Sequence, residues 1–294
     1  MLTEPTHELA VPTRVGHEHS GHVSQTASRD DVRSLAVPDL DPLAQFRLDG
    51  RVAIVTGASA GLGARFARVL DAAGARVVVT ARRIERLEEL ATSLHDGLAV
   101  TCDLAERDAA GALVDAALER YDRIDVVVNN AGVDHVEAAI DESLDDFRHE
   151  LEVNLVAPFD LARRAAGAMV ARDIAGSIVN VASIWGVVGV GQIPDAGYAA
   201  SKGALVNLTR ELAAQWARKG VRVNTLAPGW FHSEMTEERM FQDERSSRWM
   251  RQRTPMGRGG DEHELDGALL FLASHASSFV TGQVLIVDGG WTAV

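Results

Sequence analysis

Short, almost wholly apolar runs recur along the chain from Arg51 onward, and amphipathic stretches separate most of them. Runs this short and this apolar are typical of strands that are buried on both faces of a sheet. The stretches at 84–94 and 108–121 carry apolar residues at helical spacing. Strands that alternate with helices predict an α/β fold, with one doubly wound, seven-stranded parallel sheet and helices on both faces. The runs are 52–55, 77–79, 98–100, 124–128, 177–181, 221–223 and 284–287.

The first 45 residues differ from the rest of the chain. They are rich in His, Pro, Ser, Thr and acidic residues and show no sustained apolar periodicity. We therefore predict a flexible extension at 1–45 and a single folded domain at 46–294. His17, His19 and His22 lie close together, but solvated histidines fit better than a metal site because no matching cluster of ligands follows. No metal site is predicted anywhere in the chain.

Charge and cysteine content narrow the choice of partners. The formal net charge is -13, which disfavours nucleic acid and anionic membrane as the main partner. The chain has one cysteine, Cys102, so no intrachain disulfide can form and a cytoplasmic protein fits best. No apolar run is long enough to cross a bilayer, and the N-terminus lacks the apolar core of a signal peptide.

The run at 52–55 leads directly into a glycine-rich turn, TGASAGLG at 56–63, and a helical stretch follows it. Three glycines at this point let the backbone approach a pyrophosphate, and the helix N-terminus supplies N–H donors and partial positive charge. A simple tight turn is the alternative. The position after the first strand favours a dinucleotide site in a Rossmann-like domain. The residues predicted to bind there are Gly57, Ser59, Gly61, Leu62 and Gly63.

Tyr198 and Lys202 stand four residues apart in the stretch YAASK. On a helix these positions share one face, so the phenol and the ammonium would lie side by side. A nearby cation favours the phenolate and would lower the pKa of Tyr198 from its ordinary value near ~10. Tyr198 is then a candidate proton donor and acceptor near neutral pH. The alternative is an ordinary surface helix with an unremarkable lysine.

Further motifs occur in a fixed order around this pair. The glycine turn has the spacing TGxxxGxG, NNAG follows at 129–132, and VNL at 153–155 contains Asn154. Ser183 stands at the end of the fifth run, and Pro228-Gly229 follows the sixth. Between about residues 48 and 290 the chain resembles the short-chain dehydrogenase/reductase family. The joint occurrence of these motifs in order makes the resemblance specific.

The resemblance implies a role for each matching residue. Tyr198 would act as general acid and base, Lys202 would lower its pKa and contact the nicotinamide ribose, and Ser183 would stabilise charge on the substrate oxygen. Asn154 would hold a water that links Lys202 to solvent. Asp103 matches a residue that contacts the adenine, although a helix cap is its alternative. The further residues implied to bind the cofactor are Leu104, Asn130, Ala131, Gly132, Pro228, Gly229 and Ser233, together with Tyr198 and Lys202.

The end of the second strand bears on the choice between NADP(H) and NAD(H). An acid there would accept hydrogen bonds from the ribose 2'-hydroxyl and repel a 2'-phosphate. The chain has Ala81 where family members that prefer NAD usually carry Asp, and Arg82 follows at once. A guanidinium can hold a phosphate through a charge-assisted fork. We therefore expect NADP(H) to be preferred and NAD(H) to be possible. Arginines that are merely solvated at a helix start are the alternative.

These features predict an oxidoreductase that transfers a hydride between NADP(H) and a carbonyl or secondary alcohol, with Tyr198 as general acid and base. The alternatives are an NAD-dependent sugar-acid or secondary alcohol dehydrogenase and a non-catalytic dinucleotide-binding regulator. The four-residue spacing of Tyr198 and Lys202 favours carbonyl chemistry over C=C reduction. The resemblance also implies a homotetramer. The substrate would be a small molecule that meets the segments 133–138, 184–193 and 230–255, which offer Trp185, Trp230, Phe231, Met235, Met240, Trp249, His135 and His232.

Overall fold

The computed structural model describes residues 41–234 and 236–294. His17, His19, His22, most of the predicted extension and Met235 lie outside the described residues. A compact unit spans Asp41–Val294. Its strands are β1 (Val52–Thr56), β2 (Arg76–Ala81), β3 (Gly97–Thr101), β4 (Val126–Asn129), β5 (Ser177–Val181), β6 (Arg222–Pro228) and β7 (Val284–Val287).

Eight α-helices are present among the described residues. They are α1 (Gly61–Ala72), α2 (Ile84–Ser93), α3 (Ala109–Tyr121), α4 (Leu144–Leu151), α5 (Ala157–Ala171), α6 (Ala196–Trp216), α7 (Glu244–Arg253) and α8 (Asp266–Ala273). A π-helical segment, Glu152–Val156, joins α4 to α5, and a second one, Glu237–Gln242, precedes α7. Short 3₁₀ turns are Ala44–Phe46, Ile184–Gly186, Ala217–Lys219, Glu262–Leu265, His275–Ser277 and Trp291–Ala293.

The strands form one seven-stranded sheet in the order β3-β2-β1-β4-β5-β6-β7, and every neighbouring pair is parallel. The prediction of a doubly wound parallel sheet is confirmed. Since β1 pairs with both β2 and β4, the order of the strands reverses at β1. The crevice beyond the carboxyl ends of β1 and β4 is the usual ligand position in such sheets.

Successive strand residues point to opposite sides of the sheet, so these apolar strands place apolar side chains on both faces. Helices cover both faces and bury those side chains. Val55 and Val79 face one core, where Phe66 of α1 and Leu269 of α8 pack. Ile54 and Val78 face the other core, which α3, α5 and α6 cover with Leu113, Leu161 and Leu212. All of these side chains are buried, which explains why the strand runs contain so few polar residues. No helix in the described part of the chain is both long and apolar enough to span a bilayer.

Candidate functional site

A cavity, here called the loop cavity, lies beyond the carboxyl ends of the central strands. It brings together residues from the glycine turn, from the NNAG segment and from the regions around β5, α6 and β6. Thirteen of the predicted site residues line it: Gly57, Gly61, Leu62, Gly63, Asn130, Ala131, Gly132, Ser183, Tyr198, Lys202, Pro228, Gly229 and Ser233. Motifs that are separated by more than 170 residues in the chain therefore share one surface.

The glycine turn is shaped for close backbone approach. Gly57 and Gly61 adopt φ of +66° and +50°, a left-handed conformation that favours glycine. A Cβ atom on Gly63 would overlap the carbonyl oxygen of Gly57 and would lie 2.6 Å from Asn130 Nδ2. The helix α1 begins at Gly61 with no side-chain cap on its first N–H groups, and this end lines the loop cavity. The turn therefore provides a cradle with free N–H donors, which fits a pyrophosphate.

Asn130 ties the NNAG segment to the glycine turn. Its Nδ2 donates to the carbonyl oxygen of Thr56 at 2.9 Å, and its own N–H donates to Thr56 Oγ1 at 3.0 Å. The N–H of Ala131 donates to the same hydroxyl at 2.9 Å. These bonds join the ends of β1 and β4, so they fix the width of the crevice.

A second cavity, the strand-end cavity, adjoins the first beyond β2 and β3. Ser59, Arg82, Asp103 and Leu104 line it, and it shares Gly57, Ala131 and Gly132 with the loop cavity. Asp103 Oδ1 also accepts from the N–H of Ala105 at 3.0 Å within the turn after β3, whereas Asp108 precedes α3, so Asp103 is not a helix cap. Arg82 makes no hydrogen bond or ion pair with any residue that the structure describes.

Arg83 reaches the glycine turn instead. Its Nε and Nη2 donate to Ser59 Oγ at 3.0 Å and 2.9 Å, and its Nη2 also donates to Glu234 at 3.0 Å. Arg86 donates to the second carboxylate oxygen of Glu234 at 2.5 Å. Glu234 therefore joins the segment after β6 to the mouth of both cavities, and this arrangement was not predicted from the sequence.

Tyr198 and Lys202 lie on one face of α6, as predicted, and Ser183 faces them across the loop cavity. The Ser183 hydroxyl lowers the Tyr198 pKa, but burial has the larger effect and raises the Tyr198 pKa well above its ordinary value. Lys202 Nζ lies 5.5 Å from the centre of the Tyr198 ring and donates to the carbonyl oxygen of Val181 at 2.9 Å.

Burial therefore raises the Tyr198 pKa overall, and the contribution of Lys202 to that pKa stays a prediction. Desolvation of the Tyr198 phenol outweighs the effect of Ser183 on its pKa, and the Lys202 ammonium is directed toward the backbone of β5. Lys202 is itself only 3% exposed, and its burial lowers the Lys202 pKa to about 8. A lysine with this pKa can exchange a proton near neutral pH.

Asn154 lies in the π-helical segment between α4 and α5 and does not line the loop cavity. Its Nδ2 donates to the carbonyl oxygen of Val133 at 2.8 Å and to Ser201 Oγ at 3.1 Å. Its Oδ1 accepts from the N–H of Val133 at 2.8 Å. The side chain thus connects the chain after β4 to α6, next to Lys202. π-helical segments recur at functional positions of helices.

A third cavity, the outer cavity, opens from the loop cavity at Ser183, Tyr198, Gly229 and Thr236. Its wall is mainly apolar, as the sequence predicted. The apolar lining residues are Val136, Ile184, Trp185, Ile193, Trp230 and Met240, and the charged ones are Asp134, Asp195 and Arg239.

Several residues expected near the substrate lie elsewhere. His232 is bonded to Glu237 at 2.8 Å and stacks on Phe241, and His135 lies 3.8 Å from Asp146. Trp249 packs edge-on against Trp230 and Trp291 rather than lining the outer cavity. Phe231 lines the loop cavity instead.

Three ion pairs, at two points, hold the segment after β6 against the rest of the domain. Glu234 bridges Arg83 and Arg86 on the side of the strand-end cavity. Arg239 pairs with Asp134 at 2.5 Å on the side of the outer cavity. The segment at 230–255, expected to meet the substrate, is thus fastened at two points, one beside the strand-end cavity and one beside the outer cavity.

Three acidic side chains that sequence reasoning missed meet beside the first turn of α6. They are Glu142, Glu150 and Asp195, of which Glu150 and Asp195 are buried. Burial and the neighbouring carboxylates raise the pKa of Glu150 and of Asp195. Because the chain positions are eight and 45 residues apart, no local spacing pattern could have joined them.

Comparisons with known proteins find similarity over most of the chain. The family model described as "Enoyl-(Acyl carrier protein) reductase" matches residues 57–292. A galactitol 2-dehydrogenase (L-tagatose-forming) of Cereibacter sphaeroides is 41% identical over 249 residues, covering 84% of this chain and 97% of the relative. A gluconate 5-dehydrogenase of Gluconobacter oxydans is 40% identical over 259 residues, covering 87% and 98%.

The fold is also shared with solved structures. The crystal structure of a gluconate 5-dehydrogenase from Burkholderia cenocepacia, in complex with NADP and tartrate, matches with a TM-score of 0.81 and 39% identity. The match covers 86% of this chain and all of that one.

Proposed function

Because the chain belongs to the short-chain dehydrogenase/reductase family and is an oxidoreductase acting on CH–OH groups, we propose that it transfers a hydride between NADP(H) and a secondary alcohol or the matching ketone. One observation carries the proposal: Ser183, Tyr198 and Lys202 line the same cavity as the glycine turn, and that cavity opens into the outer cavity. The non-catalytic alternative is not favoured, since the relatives are named as dehydrogenases.

The residues of the crevice fit the cofactor. The glycine turn and the N-terminus of α1 would hold the pyrophosphate, and Asp103 and Leu104 border the position expected for the adenosine. Ser233, Pro228 and Gly229 would contact the nicotinamide end. When bound, the cofactor supplies or accepts the hydride.

The preference for NADP(H) rests on positive charge beyond β2. The strand-end cavity contains both Arg82 and Arg83, and no acidic side chain stands at Ala81 to repel a 2'-phosphate. Among similar solved structures, those of the Burkholderia cenocepacia and Beutenbergia cavernae proteins contain NADP. The opposing charge is Glu234, which already accepts from Arg83.

In the reduction direction, the Tyr198 hydroxyl donates its proton to the carbonyl oxygen of the substrate. The raised pKa of Tyr198 keeps the phenol protonated, as this donor role requires. Ser183 donates a hydrogen bond to the same oxygen and stabilises the charge that develops there. Lys202, which lines the same cavity, would return a proton to Tyr198, and Asn154 holds the backbone at Val133 beside Lys202. In the oxidation direction, Tyr198 takes the hydroxyl proton of the substrate as its own proton passes to Lys202, whose pKa is lowered to about 8.

The outer cavity favours a neutral substrate. Two carboxylates, Asp134 and Asp195, face one guanidinium, Arg239, which is already paired with Asp134. Carboxylates accept hydrogen bonds from hydroxyl groups and repel a sugar acid. We therefore place a polyol, a ketose or an apolar ketone ahead of an aldonate, with the NAD-dependent sugar-acid dehydrogenase as the second candidate because of the gluconate 5-dehydrogenase relatives.

The test is a spectrophotometric assay of NADPH, NADH and their oxidised forms against a substrate panel. The panel holds galactitol, L-tagatose, gluconate, 5-ketogluconate, small ketones and one α,β-unsaturated thioester. We expect turnover with NADP(H) and a neutral alcohol or ketone. Tyr198→Phe should lower kcat by roughly 10² to 10⁴-fold, with the Kd for NADPH within twofold of the parent. Turnover of Tyr198→Phe within threefold of the parent would end the mechanism, and reduction of the thioester alone would replace carbonyl chemistry.

Assembly and location are also proposals. Exposed apolar side chains lie along the helical stretch from α4 to α5, where Leu144 is 68% exposed. Phe279, before β7, is fully exposed. These positions support the homotetramer that the family resemblance implies, although the helical ones lie along the stretch from α4 to α5 rather than on α6, the helix that carries Tyr198. A light-scattering mass of one chain would contradict it. We propose the cytoplasm as location and residues 46–294 as the catalytic domain.

A further inference from the structure

Three carboxylate groups converge at the start of α6, and one of them, Asp195, also lines the outer cavity. One oxygen from each of Glu142, Glu150 and Asp195 lies within 4.8 Å of the other two. Glu150 is 1% exposed and Asp195 is 5% exposed, while Glu142 is half-buried. The loop before α4, the end of α4 and the residue before α6 each contribute one acid.

Backbone N–H groups orient the two buried acids. Glu150 Oε1 accepts from the N–H of His135 at 2.7 Å, and Asp195 Oδ1 accepts from the N–H of Tyr198 at 2.9 Å. Each acid thus has one oxygen anchored and one oxygen directed into the cluster. The directed oxygens, Glu150 Oε2 and Asp195 Oδ2, have no hydrogen-bond partner among the described residues, and neither has Glu142 Oε1.

Gly197 makes the convergence sterically possible. A Cβ atom at this position would overlap Glu150 Oε2 and would lie 2.8 Å from Glu142 Oε1. Any residue other than glycine would therefore push these two carboxylates away from each other. The convergence of the carboxylates therefore depends on the absence of a side chain at Gly197.

The cluster needs positive charge. No lysine, arginine or histidine in the described part of the chain forms an ion pair with Glu142, Glu150 or Asp195. The N-terminus of α6 offers only about half a unit charge, against three carboxylates. Buried carboxylates that lack a partner carry a desolvation penalty of several kcal/mol each, so they must bind protons or a cation.

We propose that Glu142, Glu150 and Asp195 form a binding site for one hard divalent cation, with Ca²⁺ favoured over Mg²⁺. All three ligands are carboxylate oxygens, which hard cations prefer. Ca²⁺ binds oxygens at about 2.3–2.6 Å in flexible geometry, so one ion can reach three oxygens that all lie within 4.8 Å of one another. Mg²⁺ needs about 2.0–2.1 Å and near-ideal octahedral geometry, which carboxylates anchored by backbone N–H groups meet less readily. Water would complete the coordination shell.

The competing account is that two protons, shared among the three acids, neutralise the cluster. The two accounts differ in their response to Glu150→Gln. An amide can replace a protonated carboxyl with little change, since it also donates a hydrogen bond. It cannot replace a charged cation ligand.

The experiment uses the full chain, dialysed against EDTA and then against buffer without metal. Calorimetric titration with CaCl₂ and MgCl₂, together with thermal melting at each metal concentration, gives stoichiometry, affinity and stabilisation. We expect one Ca²⁺ per chain, weaker Mg²⁺ binding, and a melting temperature that rises with Ca²⁺ concentration. Glu150→Gln should bind Ca²⁺ at least about tenfold more weakly. The matched control is Asp145→Asn, on the same helix with a side chain that is 94% exposed, which should bind as the parent does.

The absence of Ca²⁺ binding at millimolar concentration would overturn the proposal, and so would equal binding by the parent and Glu150→Gln. Mg²⁺ binding as tight as Ca²⁺ binding would overturn the proposed preference for Ca²⁺. If Glu150→Gln does not fold, the half-buried Glu142→Gln carries the same comparison. These readouts do not depend on turnover, so failure here is distinct from failure of the proposed dehydrogenase function.

Discussion

Glu234→Gln should strengthen the binding of NADPH relative to NADH. Glu234 accepts from Arg83 at 3.0 Å and from Arg86 at 2.5 Å at the mouth of the strand-end cavity. A 2'-phosphate bound there would compete with this carboxylate for Arg83 and would be repelled by it. The amide keeps the shape of the side chain and removes the charge.

The expected size follows from the exposure of these groups. All three side chains are about half-exposed, at 46%, 50% and 55%, so each ion pair is worth roughly 0.2–1 kcal/mol. The freed Arg83 and the lost repulsion together amount to about 1 kcal/mol, which is roughly fivefold in Kd. Loosening of the segment at 230–255 would weaken the binding of both cofactors equally. The informative quantity is therefore the ratio of the Kd for NADH to the Kd for NADPH.

Fluorescence titration of both reduced cofactors, at two salt concentrations, measures this ratio. We expect it to rise about fivefold in Glu234→Gln and to rise less at high salt, since exposed charges are screened. The matched control is Glu237→Gln, which removes a carboxylate bonded to His232 within the same segment and should leave the ratio unchanged. A ratio within twofold of the parent, or a shift toward NADH, would refute the assignment of this region to the 2'-phosphate.

Three further predictions test other parts of the site. Arg82→Ala should weaken NADPH binding by roughly 1.5–3 kcal/mol and leave NADH unchanged; equal Michaelis constants for NADPH in mutant and parent would contradict it. Gly63→Ala should lower the free energy of unfolding by about 1–3 kcal/mol, measured by denaturant titration. The control is Gly267→Ala in α8, where no neighbouring atom lies within 4 Å of the added Cβ, so the free energy of unfolding should stay unchanged or rise by up to about 1 kcal/mol. Equal effects of the two substitutions would show that the glycine turn is not tightly packed around Gly63. The pKa of Lys202 is lowered from 10.5 to about 8 in the folded protein. Between pH 8 and 10 the unfolded chain therefore keeps a proton on Lys202 that the folded chain has released, so the free energy of unfolding should rise with pH. The same rise in a Lys202→Met variant would show that Lys202 is not its cause.

The strands were predictable because burial on both faces leaves a plain apolar signal. The runs at 177–181 and 284–287 coincide with β5 and β7. The run at 221–223 ended too early, since β6 continues to Pro228. Asn224 and Thr225 are polar, but both are fully buried and bonded, to the Val280 carbonyl and to the Thr209 hydroxyl. A pattern of hydropathy cannot detect polar groups whose partners come from elsewhere in the chain.

The same distinction holds for the site. Tyr198 and Lys202 were placed on one face of a helix by their spacing alone, because that relation is local. The direction of the Lys202 ammonium and the raised Tyr198 pKa depend on burial, which the spacing does not contain. Arg83 is held toward the glycine turn by Glu234, 151 residues later in the chain. Such long-range partners are decided by the packed fold.

The burial of Lys202 has a practical consequence for surface attachment. The chain contains only two lysines, Lys202 and Lys219. Lys202 is 3% exposed, whereas Lys219 is exposed and closes the turn Ala217–Lys219 before the amino end of β6. Amine-coupling reagents should therefore react at Lys219 and at the terminal amine. Since the loop cavity lies at the carboxyl ends of the strands, an enzyme tethered to an electrode through Lys219 would present its cofactor crevice to the solution.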